Sequence, residues 1–418
     1  MLTYSYRTLM RACRGQHHQW VAVVALLARR SARLALLSAA LTVSTRSPAQ
    51  TRPVPVRTLT VDATGAEEFT MVSSVRELPN GSVLVVDVSE KRVTMLDRTL
   101  QHAKPVGRTG RGPGEYLTPM TLLAAPGDST WLTDIANQRL LILDPMGRPT
   151  GVKLLGATGM RLELQSFFTG TPVVGAHGRI VYQGTNISVS PAMQMATTPT
   201  APLLRRDLAK NTVDTLTSVQ VSAPRMKMSG DFAKPGTVSM EVTVDPFPVI
   251  DDWALLVDGT LAVIRGSDNH IDWTRADGRK WSTAPIPFVR VPVTAAEKKV
   301  VLASLAKTDS MMRARMAGMG GGVSLPKVTQ GAPDHWPEFK PPFSARFARA
   351  SPDGNLWIIS ATAGEGKWFY DVIDQRGRIV EHVRLPAGRM LVGFGRRSVY
   401  LLQKNADDIY RLERASLK

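Results

Sequence analysis

The sequence predicts an all-β fold built from repeated strand pairs, and three observations lead to this prediction. Short apolar runs typical of strands recur along the chain, separated by turn residues such as Asn80-Gly81 and Asp258-Gly259. Pairs of these runs form units with similar side chains at matching positions. The shorter spacings between units are about 45 residues, the length of a four-stranded propeller blade. With six units, we predict a six-bladed β-propeller with one inserted amphipathic α-helix.

The repeat is clearest in the two units that contain Asp87 and Asp134. In each unit an apolar strand ends in Asp, and an Arg follows five residues later, at Arg92 and Arg139. An Asp at a strand end can accept backbone N–H groups across the turn, and the Arg that begins the next strand is close enough to pair with it. We therefore expect both aspartates to be structural.

Six units extend along the chain. They cover residues 78–97, 128–147, 178–216, 256–278, 352–377 and 397–413. The last unit is not a complete blade, and the strand-like run 54–61 has no partner nearby. Since a closed ring leaves no free sheet edge, we expect this run to pair with the last unit and close the ring.

The N-terminal segment, residues 1–49, has the pattern of a secretory signal peptide. Arg29 and Arg30 precede a short apolar run, and small residues lead to a cleavage site after Ala49. The run is too short to span a bilayer. We predict a signal peptide over 1–49, a propeller over 50–418, no transmembrane span, and a secreted or periplasmic location. Cys13, the single cysteine, lies in the leader, so the mature chain has no Cys nucleophile or Cys metal site.

The formal charge of +17 at pH 7 raises the question of an anionic partner. Seven arginines lie in the leader, and the remaining basic residues are spread along the chain. No sequence motif that binds a DNA groove or single-stranded nucleic acid accompanies them, so we expect no nucleic-acid partner.

Two insertions, about 217–250 and 294–343, do not fit the blades. We expect the first to be a long loop. In the second, Thr294 and Glu297 form a capping box and predict a helix over 294–317 with a narrow apolar stripe that includes Val301 and Leu305. The other side chains of this helix are largely basic, which suggests a lid, or peripheral contact with a membrane or a partner. The alternative is packing on the propeller with a solvated basic side.

Three motifs carry a resemblance to a known family: the Asp-Gly and Asn-Gly turns, Asp134-x-x-Asn137-x-Arg139, and the run 110–116, Gly-Arg-Gly-Pro-Gly-Glu-Tyr. The chain resembles the secreted six-bladed β-propellers of bacteria related to NHL-repeat and TolB-like propellers, over roughly residues 54–417. The resemblance implies the fold rather than one function, since propellers support many activities. It also implies a ligand site at one mouth of the central channel, where some related propellers hold calcium and act as lactonases.

Candidate oxygen ligands for such a calcium ion precede or begin predicted inner strands, and oxygen is the ligand atom that calcium prefers. They are Glu68, Glu115, Glu163, Glu241 and Glu338. We also predict a ligand-face loop. It consists of Arg111, Glu115, Tyr116, Trp336 and Glu338.

Other catalytic signatures are missing from the sequence. The glycine-rich run 107–115 lacks the Gly-Lys-Ser/Thr of a phosphate-binding loop, no histidine pair has zinc-ligand spacing, and no Gly-x-Ser-x-Gly motif occurs. Our first expectation is therefore a non-enzymatic propeller of the cell envelope or extracellular space, without a cofactor, that binds a small molecule or protein. The alternative is a calcium-dependent hydrolase or lactonase at the channel mouth. The sequence leaves open whether the protein is an enzyme.

Overall fold

The computed structural model describes residues 53–154, 172–175, 178–189, 195–230, 237–318, 327–360 and 369–417. Within these residues, six sheets of four or five strands follow one another along the chain. Neighbouring strands are antiparallel, apart from one added edge strand. The protein is an all-β propeller, as the repeated units predict. The signal-peptide prediction, residues 1–49, lies outside the described residues.

Each sheet is one blade, in which the strands follow one another from the channel outward. Blade 1 consists of Val72–Glu77, Val83–Asp87, Arg92–Leu96 and Ala103–Pro105. Blade 2 consists of Pro119–Ala124, Thr130–Asp134, Arg139–Leu143 and Pro149–Leu154. Blade 3 consists of Val173–Val174, Ile180–Gln183, Thr200–Asp207 and Thr212–Gln220.

Blades 4 to 6 complete the series. Blade 4 consists of Asp252–Leu255, Leu261–Ile264, Ile271–Thr274 and Lys280–Ser282. Blade 5 consists of Phe343–Ala350, Leu356–Ser360, Phe369–Ile373, Ile379–Arg384 and the added strand Val56–Thr58. Blade 6 consists of Arg389–Phe394, Ser398–Lys404, Tyr410–Ser416 and Val61–Phe69.

The hydrophobic core lies between neighbouring blades. Leu84 and Val86 of blade 1 pack in one cluster with Leu132 and Leu141 of blade 2, and all four side chains are fully buried. A sheet covered on both faces does not need alternating polar residues, which explains the continuous apolar runs in the middle strands. Burial of these runs is the main stabilising term of the fold.

The structural role predicted for Asp87 and Asp134 is confirmed. Asp87 accepts the backbone N–H groups of Ser89 and Glu90 across its turn, each at 3.1 Å. Asp134 lies 3.6 Å from the Arg139 guanidinium. The expected Asp–Arg pair does not form in blade 1, where Arg92 bonds to Glu67 instead.

The ring is closed by an N-terminal strand, which shares only Val61 with the run predicted to do so. Val61–Phe69 is the outermost strand of blade 6 and pairs antiparallel with Tyr410–Ser416. Within the predicted run 54–61, Val56–Thr58 pairs parallel with Ile379–Arg384 of blade 5. The apolar pattern of 54–61 correctly indicates a strand. Which strand it pairs with depends on the path of the chain around the ring, which the pattern does not contain.

The two ends of the propeller differ in their connections. The turns that join the first strand of each blade to the second, and in blades 1 to 5 the third to the fourth, are short, as in 351–355 and 374–378. They define the short-turn end. Connections between blades, and from second to third strands, emerge at the opposite end and include 184–199, 221–251 and 283–342. We call this the elaborated end.

The insertions build an accessory layer rather than loops alone. The predicted loop 217–250 contains the end of Thr212–Gln220 and two further strands, Arg225–Ser229 and Ser239–Thr243. These strands form a small sheet with Lys327–Gln330 of the second insertion. The loop prediction is wrong because the alternation Arg-Met-Lys-Met-Ser is a strand pattern. Two further short pairs are Arg108–Thr109 with Glu115–Tyr116 and Ile187–Val189 with Met195–Thr197.

The predicted helix is confirmed as helix α1, Ala295–Gly318. Its start has the predicted capping box, in which Thr294 accepts the N–H of Glu297 at 3.2 Å and donates its hydroxyl to the carboxylate at 2.9 Å. Val301 and Leu305 are half-buried, whereas Val300 and Leu302 are 49% and 46% exposed. Among the residues described, no helix has the length and apolar character needed to cross a membrane.

Candidate functional site: the central channel

A cavity of about 460 Å3 lies where the inner strands of five blades meet. Its wall includes one or more residues from the inner strand of each. Examples are Ser73, Thr121, Val173, Asp252 and Ala348. Val221 and Ile250 of an inter-blade connection also line it, so the cavity belongs to the elaborated end. Its size is in the range of small-molecule sites.

Asp252 is the buried acid of this cavity. It is the first residue of the inner strand of blade 4, and its side chain is turned toward blade 5. Its Oδ2 accepts the backbone N–H of Ala348 at 2.9 Å, and its Oδ1 accepts the N–H of Trp253 at 2.8 Å. The carboxylate therefore bridges the inner strands of two neighbouring blades.

The inner strand of blade 5 is irregular at this point. Ser344 pairs with Ile359 and Arg349 with Trp357, so the residues between Ser344 and Arg349 form a bulge. Within the bulge Arg346 has a φ of +73°, a left-handed conformation that costs a non-glycine residue about 1–3 kcal/mol. Bulges of this kind often redirect a side chain beside an active site. Here the bulge brings Arg346 and Arg349 to the cavity wall.

The two arginines differ in their surroundings. The Arg349 Nη1 donates to the carbonyl oxygens of Ala348 and Arg346, at 2.9 and 3.3 Å, and so holds the bulge from within. Arg346 is exposed in the cavity. Arg349 is therefore a positioning residue, and Arg346 is the guanidinium available to a ligand.

Burial changes the protonation chemistry of Asp252. Desolvation raises the pKa of its carboxyl above 3.8, although the N–H groups of Ala348, Trp253 and Arg346 and the charge of Arg349 act in the opposite direction. Three N–H donors occupy at most three of the four lone-pair positions of a carboxylate. One position remains for a proton or a water, so Asp252 can act as an acid or base.

Asp251, the neighbouring carboxylate, belongs to a separate ion-pair network. It accepts the Arg265 guanidinium at 2.7 Å and the N–H groups of Gln220 and Gly266 at 2.9 and 3.0 Å. Arg265 also bonds to Asp272 at 2.7 Å. Asp251 thus ties blade 4 to the end of blade 3 and has little capacity left for a ligand.

The channel wall does not fit a calcium ion. Among the described residues, no three acidic, histidine or cysteine side chains converge as metal ligands. The oxygens of Asp251 and Asp252 are largely engaged by protein donors, and Arg346 and Arg349 add positive charge beside them. Calcium needs six to eight oxygen ligands, so the described part of the channel supplies no such site.

The structure does not bring together the four predicted calcium ligands that lie among its described residues. Glu68 lies on the outermost strand of blade 6, where it pairs with Arg411 at 2.8 Å. Glu241 is exposed on the accessory sheet, and Glu338 is exposed in the loop before blade 5. Glu163 lies outside the described residues. Glu115 is bound within its own loop.

The predicted ligand-face loop is divided between two places. Glu115 accepts the Gly112 N–H and the Arg108 guanidinium, each at 2.7 Å, and these bonds lower the pKa of its carboxyl. Tyr116 is buried, and its hydroxyl accepts the Val93 N–H at 2.9 Å, so it is a core residue. The Arg111 side chain is exposed, and its carbonyl oxygen accepts Arg139 at 3.1 Å.

The other half of that predicted loop contacts helix α1. The Lys298 ammonium lies 5.6 Å from the centre of the Trp336 ring, and Lys340 forms an ion pair with Glu297. The helix is thereby held against the segment that also carries Glu338. Neither half of the predicted loop contributes a residue to the channel cavity.

Sequence reasoning missed Asp252, Arg346 and Arg349. The signal for Asp252 is the pair Asp251-Asp252 immediately before Trp253, two acids at the start of an inner strand. The signal for the arginines is the run Phe343–Ala350, where two arginines three residues apart interrupt small and apolar residues. Neither signal shows that two blades meet there, which only the closed ring establishes.

Comparison with known proteins adds to this picture. No family model matches the sequence, and no curated protein matches it. Similar solved structures include a calcium-binding protein, regucalcin, from Agrobacterium tumefaciens, with 11% identity, a TM-score of 0.42, and 88% of this chain and 98% of that chain covered. A gluconolactonase from Xanthomonas campestris has 11% identity, a TM-score of 0.42, and coverage of 87% and 99%. Virginiamycin B lyase from Staphylococcus aureus has 11% identity, a TM-score of 0.37, and coverage of 84% and 96%.

These comparisons correct our first functional expectation. The gluconolactonase and the lyase are enzymes by name, so these findings contradict the expectation of a non-enzymatic binding propeller, and we do not retain it. Their substrates and metals are properties of those proteins.

Proposed function

We propose that this protein is a hydrolase that opens a lactone or ester in the central channel, at the elaborated end. One observation carries the proposal: a bulged inner strand places the left-handed Arg346 at the cavity wall, next to a strand junction held by the buried Asp252. Backbone strain and a perturbed buried carboxyl in one cavity are features of active sites.

In this mechanism Asp252 is the general base. Its carboxylate takes a proton from a water molecule, and the water oxygen attacks the carbonyl carbon of the substrate. The carbonyl oxygen becomes an oxyanion, which the Arg346 guanidinium stabilises by charge and hydrogen bonding. The C–O bond to the leaving alkoxide then breaks, and Asp252 returns the proton to that oxygen. A lactone yields one hydroxy acid.

The experiment is a screen of lactones and simple esters with the purified protein, with acid release followed at constant pH. Arg346→Gln is then compared with the wild type on any substrate found. Loss of an oxyanion donor should lower kcat by about 10² to 10³-fold. Arg376→Gln, an exposed arginine on a short turn of blade 5, is the matched control and should leave kcat unchanged. Equal rates for wild type and Arg346→Gln would rule out the channel as the site.

The screen also separates metal-dependent from metal-independent hydrolysis. Because the described channel offers no calcium site, we expect the same rate with a chelator as with added calcium. We also expect no saturable rise of the melting temperature on calcium titration, since only a bound ligand stabilises the folded state by mass action. A chelator-sensitive rate restored by calcium would contradict metal-independent hydrolysis in the channel.

The remaining parts of the proposal concern context. The leader pattern supports action outside the cytoplasm, and the repeat motifs support kinship with NHL-repeat and TolB-like propellers. The proposed ligand is a small molecule in the channel. Helix α1 is proposed as part of the cover of the elaborated end rather than as a membrane contact, since Val301 and Leu305 are half-buried and Asp309 accepts the Gln330 N–H at 3.2 Å.

A further inference from the structure

A second cavity, of about 510 Å3, lies between blades 5 and 6 at the short-turn end. We call it the seam cavity. Residues from three places in the chain line it: Arg57 and Glu381 on the outer strands of blade 5, Asn355 in a short turn, and Arg396 and Arg397 in the first turn of blade 6. It is remote in the fold from the elaborated end and shares no lining residue with the channel cavity.

One wall of the seam cavity is rigid. The Arg57 guanidinium donates to both carboxylate oxygens of Glu381, at 2.8 and 2.9 Å, and lies 6.0 Å from the centre of the Trp357 ring. This two-point bond fixes the guanidinium plane. Trp357 is itself packed edge-on against Phe394 of blade 6, with ring centroids 5.0 Å apart. Trp357 is 1% exposed, so it forms the packed base of this wall and supports the ordered guanidinium.

The opposite wall carries uncompensated positive charge. Glu381 neutralises Arg57, and the Asp353 carboxylate is engaged by Ser351 and by the Asn355 amide at 3.0 Å. Arg396 reaches Asp128 at only 3.8 Å, with both groups mostly exposed. Arg397 is exposed and forms no ion pair among the described residues. Arg57 and Glu381 cancel, and the Asp353 charge offsets one of the two guanidinium groups of Arg396 and Arg397, so the lining keeps a net positive charge.

From this geometry we infer that the seam cavity is a second binding site, for a small carboxylate with a flat apolar body. The carboxylate binds Arg397 and Arg396, and the apolar body lies against Val380, which is 37% exposed, and the half-buried Leu417, over a floor formed by the buried Trp357 and Val372. Guanidinium groups match carboxylates in both charge and geometry. The inference is independent of the hydrolase proposal, because it uses no residue of the channel.

The probe is 2-naphthoate, and its neutral analogue 2-naphthamide is the matched ligand control. Binding to the purified protein is measured by isothermal titration calorimetry. We expect saturable binding of one naphthoate per chain, weaker by about tenfold for the amide and for Arg397→Gln, because each loses one charge-assisted contact. Arg397 is exposed, so its replacement should leave folding intact. Arg111→Gln, an exposed arginine at the other end, should bind as the wild type does.

Three results would overturn the inference. The first is the absence of naphthoate binding. The second is equal affinity for the acid and the amide, or for wild type and Arg397→Gln. The third is loss of binding in Arg346→Gln, which would place the ligand in the channel. Retained binding in Arg346→Gln, together with loss in Arg397→Gln, supports the seam cavity even if no hydrolase substrate is found.

Discussion

At the scale of single residues, Asp252 combines a structural task with a chemical one. Its carboxylate fixes the bulge of the next blade through the Ala348 N–H, yet burial raises its pKa, so ionisation is less favourable than for an exposed acid. Because the folded-state pKa is raised, the ionised carboxylate costs stability above that pKa, and the native state gains stability as pH falls through it. A substitution that removes only the charge of Asp252 should therefore leave the protein folded.

The variant Asp252→Asn tests the chemical task. We expect kcat to fall by about 10² to 10⁴-fold, the contribution typical of a general base. In the wild type, kcat/KM should fall as pH falls through a pKa above 3.8, and the variant should lack this acid limb. Rate–pH profiles of both proteins measure this. An unchanged profile in the variant would mean that Asp252 only stabilises the bulge and takes no part in the reaction.

At the scale of elements, some of the short turns between third and fourth strands are stabilised by an aspartate at their first position. Asp374 accepts the N–H groups of Arg376 and Arg378 at 2.9 and 3.0 Å and pairs with the Arg378 guanidinium at 2.7 Å. Partial burial acts to raise its pKa, but these bonds outweigh it and the pKa is lowered below 3.8. Asp144 has the same arrangement with Arg148 in blade 2.

The variant Asp374→Asn should lose stability in a pH-dependent way. A lowered folded-state pKa means that the carboxylate stabilises the fold above its unfolded-state pKa, and that this contribution disappears as pH falls through the folded value. We expect about 1 kcal/mol less free energy of unfolding at pH 7 and a difference that shrinks below about pH 4. Denaturant unfolding across pH measures it. Asp407→Asn, an exposed acid on another turn, should show no such difference.

The elements also show why the blades were predictable and the channel was not. Asn80-Gly81 specifies a tight turn locally, and Gly81 has the left-handed φ of +83° that such a turn needs. The middle strands are unbroken apolar runs such as Leu261–Ile264, so the sequence identifies them. The inner strands mix polar and charged residues with apolar ones, as in Val72–Glu77 and Phe343–Ala350, or are very short, as in Val173–Val174, so the sequence does not mark them. The site is assembled from them across five blades, and their mutual positions depend on the closed ring.

At the scale of the whole molecule, closure depends on one N-terminal strand far from its partner in sequence. Val61–Phe69 completes blade 6, and Asp62 and Glu68 form ion pairs with Arg414 and Arg411 at 3.0 and 2.8 Å. Phe69 is buried in the cluster that includes Leu412 and Tyr400 of blade 6 and Val83 and Val85 of blade 1. This strand therefore joins the first and last blades.

The variant Phe69→Ala tests whether this closure stabilises the whole ring. Truncating a fully buried Phe removes its apolar burial and leaves a cavity, at a cost of about 3–5 kcal/mol. Val56 is 56% exposed on the added strand of blade 5, so Val56→Ala should change the free energy of unfolding by less than about 0.5 kcal/mol. Because Phe69 links blades 6 and 1, its loss should lower the midpoint of a single transition. A separate early transition in Phe69→Ala would instead mean that blade 6 unfolds alone while the other five blades remain folded.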